Sequence, residues 1–246
     1  MAEVINRTAA LLVIGNEILS GKVVDTNTPF LAKELRALGV SLQRILTIPD
    51  EVEIIAAAIR ELQPRYDHVF TSGGVGPTHD DVTIEGIAKG LGRKVVRNEI
   101  VADKIREYQK DRLTEASLRM ADFPEGVELL MDARLGFPTV KVDNIFILPG
   151  IPQIFEAKFH AIRDRFAVTP YTLRIIYTRH HEGQIAHHLN ATVAAYPELL
   201  LGSYPKIGDP EYAVKLTLES KDPGYVDRAV AHLLDLLPAD AVVRTE

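Results

Sequence analysis

Residues 72–85, SGGVGPTHDDVTIE, combine glycines, hydroxyl side chains and carboxylates in one short stretch. Glycine lets the backbone adopt positive φ angles and lets a ligand approach it closely. The helix predicted to begin at Thr83 would offer its free N–H groups to an anion such as phosphate. The candidate ligand contacts in this stretch are glycines and hydroxyl side chains: Ser72, Gly73, Gly74, Gly76, Thr78 and Thr83.

Carboxylates in the same stretch need a separate explanation, because Asp80, Asp81 and Glu85 would repel a phosphate. A divalent cation such as Mg²⁺, bound between carboxylate and phosphate, reconciles the two. The stretch matches neither the Walker A loop nor the dinucleotide-binding glycine motif. The alternative interpretation is a structural turn before a helix whose N-terminus acidic residues stabilise in any case. We favour a ligand site, with His79 as a further candidate for ligand contact.

Two more polar stretches and one carboxylate also follow predicted strands. They are GNEILSG at 15–21 with DTN at 25–27, LPGIP at 148–152, and Asp50. Ligands of open α/β sheets bind beyond the carboxyl ends of the strands, so these stretches can converge on one edge. The candidates there are Glu17, Asp25, Asn27, Asp50, Pro149 and Gly150. Asp25, Asn27 and Asp50 could equally cap helices. Glu17 could be merely solvated, and Pro149–Gly150 could be a turn that ends a strand.

The elements that must position these residues are strands and helices in alternation. Short apolar runs predict strands at 9–14, 41–48, 68–71 and 144–148. Apolar residues at helical spacing predict helices at 26–38, 51–62, 83–90 and 153–166, and residues 98–120 are charged and helical. This alternation predicts a doubly wound α/β domain, which we place at residues 1–168.

Residues 169–246 carry a pattern of their own after Thr169–Pro170. The predicted elements are strand, helix, strand, strand, helix and strand, at 171–178, 182–195, 199–203, 212–219, 223–237 and 241–244. This is the ferredoxin-like order, so we predict a smaller α+β domain at residues 169–246. Its histidines favour a solvated helix over a zinc site, which more often uses i, i+4 pairs; they are His180, His181, His187 and His188.

The composition excludes several classes of protein and several kinds of partner. The 246 residues are 46% hydrophobic and 25% charged, which is typical of a soluble globular protein and excludes a disordered or collagen-like chain. The absence of cysteine excludes disulfides and thiolate chemistry. A net charge of −6 gives no reason to expect a nucleic-acid partner. No apolar run reaches about 18 residues, and residues 1–8 do not resemble a signal peptide. We therefore expect a cytoplasmic protein with no membrane partner.

Taken in order, the motifs resemble those of the molybdopterin-binding MoaB/Mog family, from Ala9 to about Phe166. The matching stretches are Gly15-x-Glu17, Asp25-x-Asn27, Ser72 to Thr83, and Leu148-Pro149-Gly150-x-Pro152. Within that family, the run GPTHDDVT at 76–83 is most similar to the N-terminal domain of competence/damage-inducible protein A, CinA. The same domain type forms the N-terminal half of eukaryotic FAD synthases. The sequence departs from the family at Asn16, where Asp is usual, and at residues 132–138, which replace a usual Asn-x-x-Gly-x-Ala-Pro-Gly stretch.

The resemblance implies a three-layer α/β/α core in a homo-oligomer. It also implies hydrolysis of the pyrophosphate in ADP-ribose, FAD or a similar dinucleotide, with Mg²⁺ or another divalent metal and in some relatives K⁺. In relatives, the carboxylates that match Asp81 and Asp50 are implicated in the chemistry, and the position of Glu17 lines the site. We therefore expect Asp81, helped by Asp50 or Glu17, to hold the metal. We expect His79 or Asp80 to position the attacking water.

Two other functions remain open. The chain could bind or adenylylate a pterin phosphate in molybdenum-cofactor assembly, although neither residues 134–138 nor the second domain is expected of a compact Mog-type enzyme. It could also be a non-enzymatic module that binds a nucleotide without converting it.

Overall fold

A computed structural model describes residues 5–246 of the chain. They form two compact units, Asn6–Val168 and Thr169–Glu246, with Ile5 assigned to the second. The first unit has a hydrophobic core on each side of its main sheet, and the second unit has a core of its own. Within this described range, no helix has both the length and the apolar character that crossing a bilayer requires.

The first unit alternates strands with helices along most of its length. Its strands are β1 (Arg7–Ile14), β2 (Val40–Ile48), β3 (His68–Ser72), β4 (Val95–Arg97), β5 (Asp122–Pro124), β6 (Glu128–Leu130), β7 (Thr139–Val142) and β8 (Ile145–Leu148). Its helices are α1 (Asn16–Leu19), α2 (Asn27–Ala37), α3 (Val52–Leu62), α4 (Thr83–Leu91), α5 (Glu99–Gln109), α6 (Glu115–Arg119) and α7 (Pro152–Ile162).

Six of these strands form one sheet in the order β2-β1-β3-β8-β7-β6. The first four run parallel, β7 pairs antiparallel with β8, and β6 pairs antiparallel with β7. Since side chains alternate along a strand, β1 supplies both faces. Leu11 and Val13 enter the core that contains α2 and α7, whereas Leu12 and Ile14 enter the core that contains α3, α4 and α5. The predicted three-layer α/β/α arrangement is therefore confirmed.

The register of the parallel strands brings their carboxyl ends to one edge of the sheet. Ile14 pairs with Ile48, Val13 pairs with Ser72, and Ser72 pairs with Leu148. The stretches that follow β1, β2, β3 and β8 therefore leave the sheet at the same edge, as the sequence analysis expected.

The second unit contains, in order, β9 (Thr172–Thr178), α8 (Glu182–Ala195), β10 (Leu200–Pro205), β11 (Val214–Ser220), α9 (Pro223–Leu236) and β12 (Val242–Thr245). Its sheet has the order β10-β11-β9-β12, and each neighbouring pair is antiparallel. Side chains such as Ile176 and Leu216 from the sheet pack with Leu233 of α9 in a separate core. The ferredoxin-like order of elements is confirmed.

The structure differs from the predicted elements where strands are short and where helices break. The sequence pattern does not predict β4, β5, β6 or β7, because these strands have three or four residues and lack the continuous apolar run that reveals β8. The predicted helical region at 98–120 is interrupted, since α5 ends at Gln109 and Lys110 has a φ of 49°. In the region predicted as one helix at 153–166, the α-helix ends at Ile162, and Arg163–Phe166 form a 3₁₀ turn.

Candidate functional site

The glycine run joins β3 to α4, and two of its glycines have left-handed backbone angles. Gly73 has a φ of 105°, and a Cβ atom there would lie 2.1 Å from the carbonyl oxygen of Ile14. Gly74 has a φ of 64°, and a Cβ atom there would lie 2.3 Å from the Oγ1 atom of Thr83. Because a side chain would be both strained and in collision, these two positions require glycine for the shape of the loop itself.

Asp81 uses its carboxylate to hold the loop together. Its Oδ1 atom accepts a hydrogen bond from the Gly76 amide at 2.7 Å. Its Oδ2 atom accepts from the amide and the hydroxyl of Thr78 at 2.8 and 2.5 Å. The Asp81 carboxylate therefore accepts the N–H groups of Gly76 and Thr78. Asp81 does not line either of the two clefts at this edge of the sheet.

Thr83 closes the other end of the loop. Its side chain is fully buried, and its hydroxyl donates a hydrogen bond to the Gly73 carbonyl oxygen at 2.9 Å. Its amide donates to the Gly74 carbonyl oxygen at 3.1 Å. The predicted contact between the Thr83 hydroxyl and a ligand is therefore replaced by a bond within the loop.

Asn27 connects the loop to the stretch that follows β8. Its Nδ2 atom donates to the Ser72 hydroxyl and to the Gly150 carbonyl oxygen, both at 2.9 Å. The structure thus brings three predicted site residues together. Asn27 is only 4% exposed, and its Oδ1 atom is buried without a hydrogen-bond partner. A buried oxygen of this kind carries a desolvation cost that a donor on a ligand would relieve.

Asp25 has the structural role that the sequence analysis left open. Its Oδ1 atom accepts a hydrogen bond from the Thr28 amide at 3.0 Å, and its Oδ2 atom accepts from the Thr28 hydroxyl. The carboxylate therefore satisfies one free amide in the first turn of α2 from the position before the N-cap residue, Thr26. It also lies on the wall of the smaller cleft.

The larger cleft at this edge has a volume of about 580 Å³. It is lined mainly by residues that follow β1 and β2, together with one residue of the glycine run: Asn16, Glu17, Leu19, Ser20, Lys22, Asp50 and Asp80. The Oδ2 atom of Asp50 accepts a hydrogen bond from the Asn16 amide at 2.7 Å. This bond fixes the Asp50 carboxylate beside the cleft. Three predicted site residues, Glu17, Asp50 and Asp80, therefore share one cavity.

The smaller cleft, of about 80 Å³, lies between the stretches that follow β1, β3 and β8. Glu17 lines both clefts. The other predicted residues on the wall of the smaller cleft are Asp25, Asn27, Ser72, Gly73 and Gly150. Pro149 lines neither cleft.

His79 and Asp80 lie at the exposed tip of the glycine run. The His79 side chain is 98% exposed, and its Nδ1 atom is 3.9 Å from the Asp80 carboxylate. The polar environment of the Thr78 side chain and of the Asp80 backbone amide lowers the pKa of Asp80 below its usual value. Asp80 is therefore ionised at neutral pH.

The carboxylates fit a metal that arrives with a phosphate better than a metal held by protein alone. In residues 5–246, no three histidine, aspartate or glutamate side chains form a cluster that could bind a metal ion. Asp81 already accepts three hydrogen bonds, so it and Glu17 do not make a preformed cage. Mg²⁺ commonly uses only one or two carboxylates together with substrate phosphates and water. Asp50 and Glu17, on the wall of one cleft, offer such a pair.

Sequence reasoning missed several residues of the larger cleft. Asn16, Leu19, Ser20 and Lys22 line it but were not among the candidates. Their position depends on α1, a helix of one turn that has no apolar periodicity to reveal it. The available signal was their place in the polar stretch that follows β1, at the binding edge of the sheet.

Comparison with known proteins identifies relatives of both units. Residues 10–167 match the family described as a probable molybdopterin binding domain, and residues 170–246 match the middle domain of FAD synthase. The crystal structure of CinA from Thermoplasma acidophilum, described as a protein of unknown function, is 32% identical in sequence with a TM-score of 0.60. The match covers 65% of this chain and 98% of that one. It confirms the resemblance to the CinA domain.

Several curated relatives match nearly the whole chain. A protein from Archaeoglobus fulgidus is 36% identical over 227 residues, which cover 92% of this chain and 96% of the relative. A probable FAD synthase from Caenorhabditis elegans is 30% identical over 264 aligned residues, which cover 96% of this chain but 51% of that protein. The chain thus spans about half the length of that relative.

Proposed function

The chain belongs to the family of probable molybdopterin binding domains, and on that premise we propose that it is a metal-dependent nucleotide pyrophosphatase. Its substrate is ADP-ribose, FAD or a similar dinucleotide. The observation that carries this proposal is the larger cleft, in which the carboxylates of Glu17, Asp50 and Asp80 line one cavity at the carboxyl edge of a parallel sheet. The cleft's volume of about 580 Å³ lies within the roughly 300–1,000 Å³ typical of sites for small molecules and cofactors.

Each carboxylate has a distinct part in the proposed reaction. Asp50 and Glu17 would hold a divalent cation that binds with the substrate phosphates, and the Asn16 amide orients Asp50 for this. When bound, such a cation neutralises phosphoryl charge and makes a water molecule more acidic. Asp80, ionised at neutral pH, accepts a hydrogen bond from the attacking water. Asp81 is a positioning residue, because its three hydrogen bonds set the shape of the loop beside the cleft.

A flavin dinucleotide is favoured among the candidate substrates by the second unit and by the relatives. Residues 170–246 match the middle domain of FAD synthase, and a relative that aligns with most of this chain is a probable FAD synthase. Because the chain spans about half of that relative, we do not extend synthesis of FAD to it. The homo-oligomer, and the use of K⁺ that the resemblance implies for some relatives, stay predictions.

The test is release of AMP from ADP-ribose, FAD and NAD⁺, followed by chromatography with and without Mg²⁺, Mn²⁺ or Co²⁺. We expect metal-dependent AMP from at least one substrate. Asp50→Asn should lower that rate by about tenfold or more, and its fold should be preserved because an asparagine oxygen can still accept the Asn16 hydrogen bond.

Glu53→Gln is the matched control, because Glu53 is exposed on α3, pairs with Lys89 and does not line the cleft. It should leave AMP release unchanged. A folded protein that releases no AMP from any substrate would contradict the proposal and would make molybdopterin binding the next assay. Tight nucleotide binding without turnover would instead support a non-enzymatic module.

A further inference from the structure

Among the described residues 5–246, Lys22 is the single cationic side chain on the wall of the larger cleft. The same wall carries three carboxylates, Glu17, Asp50 and Asp80. A pyrophosphate that enters such a cleft meets repulsion from these carboxylates, and a bound cation offsets only part of it. A lysine ammonium is a compact point charge suited to a phosphate oxygen. The charge distribution of the cleft therefore makes Lys22 the side chain that favours an anionic ligand.

The backbone turns back after α1 so that Lys22 faces the cleft. The Ser20 amide donates to the Asn16 carbonyl oxygen at 2.9 Å, and the Gly21 amide donates to the Ile18 carbonyl oxygen at 3.1 Å. Gly21 then has a φ of 72°, which reverses the chain, and the Val23 amide donates to the Glu17 carbonyl oxygen at 3.1 Å. This hydrogen-bonded turn holds Lys22 close to Glu17, and both residues line the larger cleft.

The ammonium of Lys22 is free for a ligand. Across residues 5–246, it makes no hydrogen bond and no ion pair with another residue. Some cationic side chains of the same unit are paired, as Arg7 is with Asp67, Lys89 with Glu53 and Arg97 with Asp122. Others in the described range, such as Lys33, are unpaired like Lys22 but do not line the cleft. What distinguishes Lys22 is therefore that its free ammonium lies on the wall of the cleft.

We propose that Lys22 is the residue that recognises the phosphate of the substrate and selects nucleotides that carry a pyrophosphate over uncharged nucleosides. The proposal rests on the proposed function, since it assigns the substrate contact in the same cleft. Lys22 acts in binding rather than in bond cleavage, so its loss should raise KM or Kd more than it lowers kcat.

The test measures binding separately from turnover. The probe is the α,β-methylene analogue of ADP-ribose with Mg²⁺, because its bridging carbon prevents hydrolysis of the pyrophosphate, and adenosine is the uncharged comparison. Titration calorimetry would compare wild type with Lys22→Gln, Lys22→Arg and the control Lys33→Gln, whose lysine is exposed on α2 and does not line the cleft.

We expect Lys22→Gln to raise the Kd of the analogue by about tenfold, the loss of one charge-assisted contact, and to weaken its dependence on salt. Lys22→Arg should restore most of the affinity, and Lys33→Gln should match wild type. Adenosine binding should not change in any variant. Where AMP release is measured, the KM of Lys22→Gln should rise and its kcat should change by less.

Equal affinity of wild type and Lys22→Gln for the analogue would overturn the inference, even if wild type releases AMP and the proposed function stands. An equal loss of affinity for adenosine, or no binding of the analogue by wild type, would also overturn it. Lys22-dependent binding in a protein that releases no AMP would support the inference while contradicting the pyrophosphatase proposal.

Discussion

The glycine loop and the larger cleft lie at the same edge of the sheet but use their polar groups in opposite ways. In the loop, Asp81 and Thr83 direct their side-chain hydrogen bonds to loop atoms. In the cleft, Glu17 and Lys22 face an open cavity of about 580 Å³. The glycine loop, which carries most of the recognisable motif residues, therefore uses its side chains to hold its own shape. The stretch after β1 instead supplies charged side chains that are free to contact a ligand.

This difference distinguishes residues that support activity through the shape of the loop from residues that support it through their charge. A carboxylate that accepts three hydrogen bonds contributes through the shape it imposes, so its removal should disturb stability and activity together. A carboxylate on the wall of a cleft contributes through its charge, so its removal should affect binding or rate alone. Variants in the two regions can therefore be told apart by measuring both properties.

The largest effect is expected for Asp81→Asn. The amide nitrogen of asparagine would face an N–H or O–H donor from Gly76 or Thr78, so the loop should shift. A displacement of about 1 Å near a reacting group can lower kcat/KM by about 100-fold. The unmatched donors should also lower the free energy of unfolding by about 1–3 kcal/mol. AMP release and urea denaturation measure the two effects.

Thr78→Ser is the matched control for Asp81→Asn, because it keeps both donors to the carboxylate. Normal AMP release by Asp81→Asn would show that the loop contacts do not matter for turnover, and the contrast between loop and cleft would fail.

A smaller effect, on stability alone, is expected for Asp67→Asn. Burial by itself would raise the pKa of Asp67, but hydrogen bonds from the Thr8 amide, the Arg7 guanidinium and the Thr8 hydroxyl lower it to about 2. Asp67 lies just before β3, at the opposite edge of the sheet from the clefts. The variant should lose about 2 kcal/mol of stability at pH 7 and keep its rate of AMP release.

The pH dependence of this prediction has a definite sign. The folded-state pKa lies below the ordinary value of 3.8, so the stabilising effect of Asp67 is complete above that value. It is lost as the pH falls from about 4 towards 2. The difference in free energy of unfolding between wild type and Asp67→Asn should shrink over the same interval, and a constant difference would refute this account.

The smallest effect is expected for His79→Ala. The imidazole is 98% exposed and lies 3.9 Å from Asp80, so water competes with any contact it makes. We expect kcat/KM to fall by at most about threefold, or about 0.7 kcal/mol. A tenfold loss would place His79 in contact with the reacting group and would extend the cleft to the tip of the loop.

The fold could be predicted from sequence wherever an element is long and periodic. The apolar run of β1, buried on both faces, and α8 at residues 182–195 are examples. The short strands β6 and β7 could not be predicted, because they form only by pairing in the sheet beside β8. Only Asp143 and Asn144 separate β7 from β8. The break after Gln109 was also hidden, since Lys110 adopts a φ of 49° that its residue type does not favour.

The site was predicted as a set of positions, but the role of each residue was not. Glu17, Asp50 and Asp80 share a cleft because the strands before them are parallel neighbours, which follows from the sequence pattern. Asp81 differs from Asp80 by one position and has the same side chain, yet only Asp81 meets the amides of Gly76 and Thr78. That distinction depends on the loop's backbone angles, which residue types alone do not specify.

The pairing of β12 with β9 has a consequence for synthesis on the ribosome. β9 is the first strand of the second unit to emerge, and one of its two partners, β12, is the last. At a rate of roughly 5–20 residues per second, β9 waits several seconds with an unpaired edge. An open strand edge is a template for pairing with other chains. The nascent second unit is therefore vulnerable to misassembly until β12 has emerged and paired with β9.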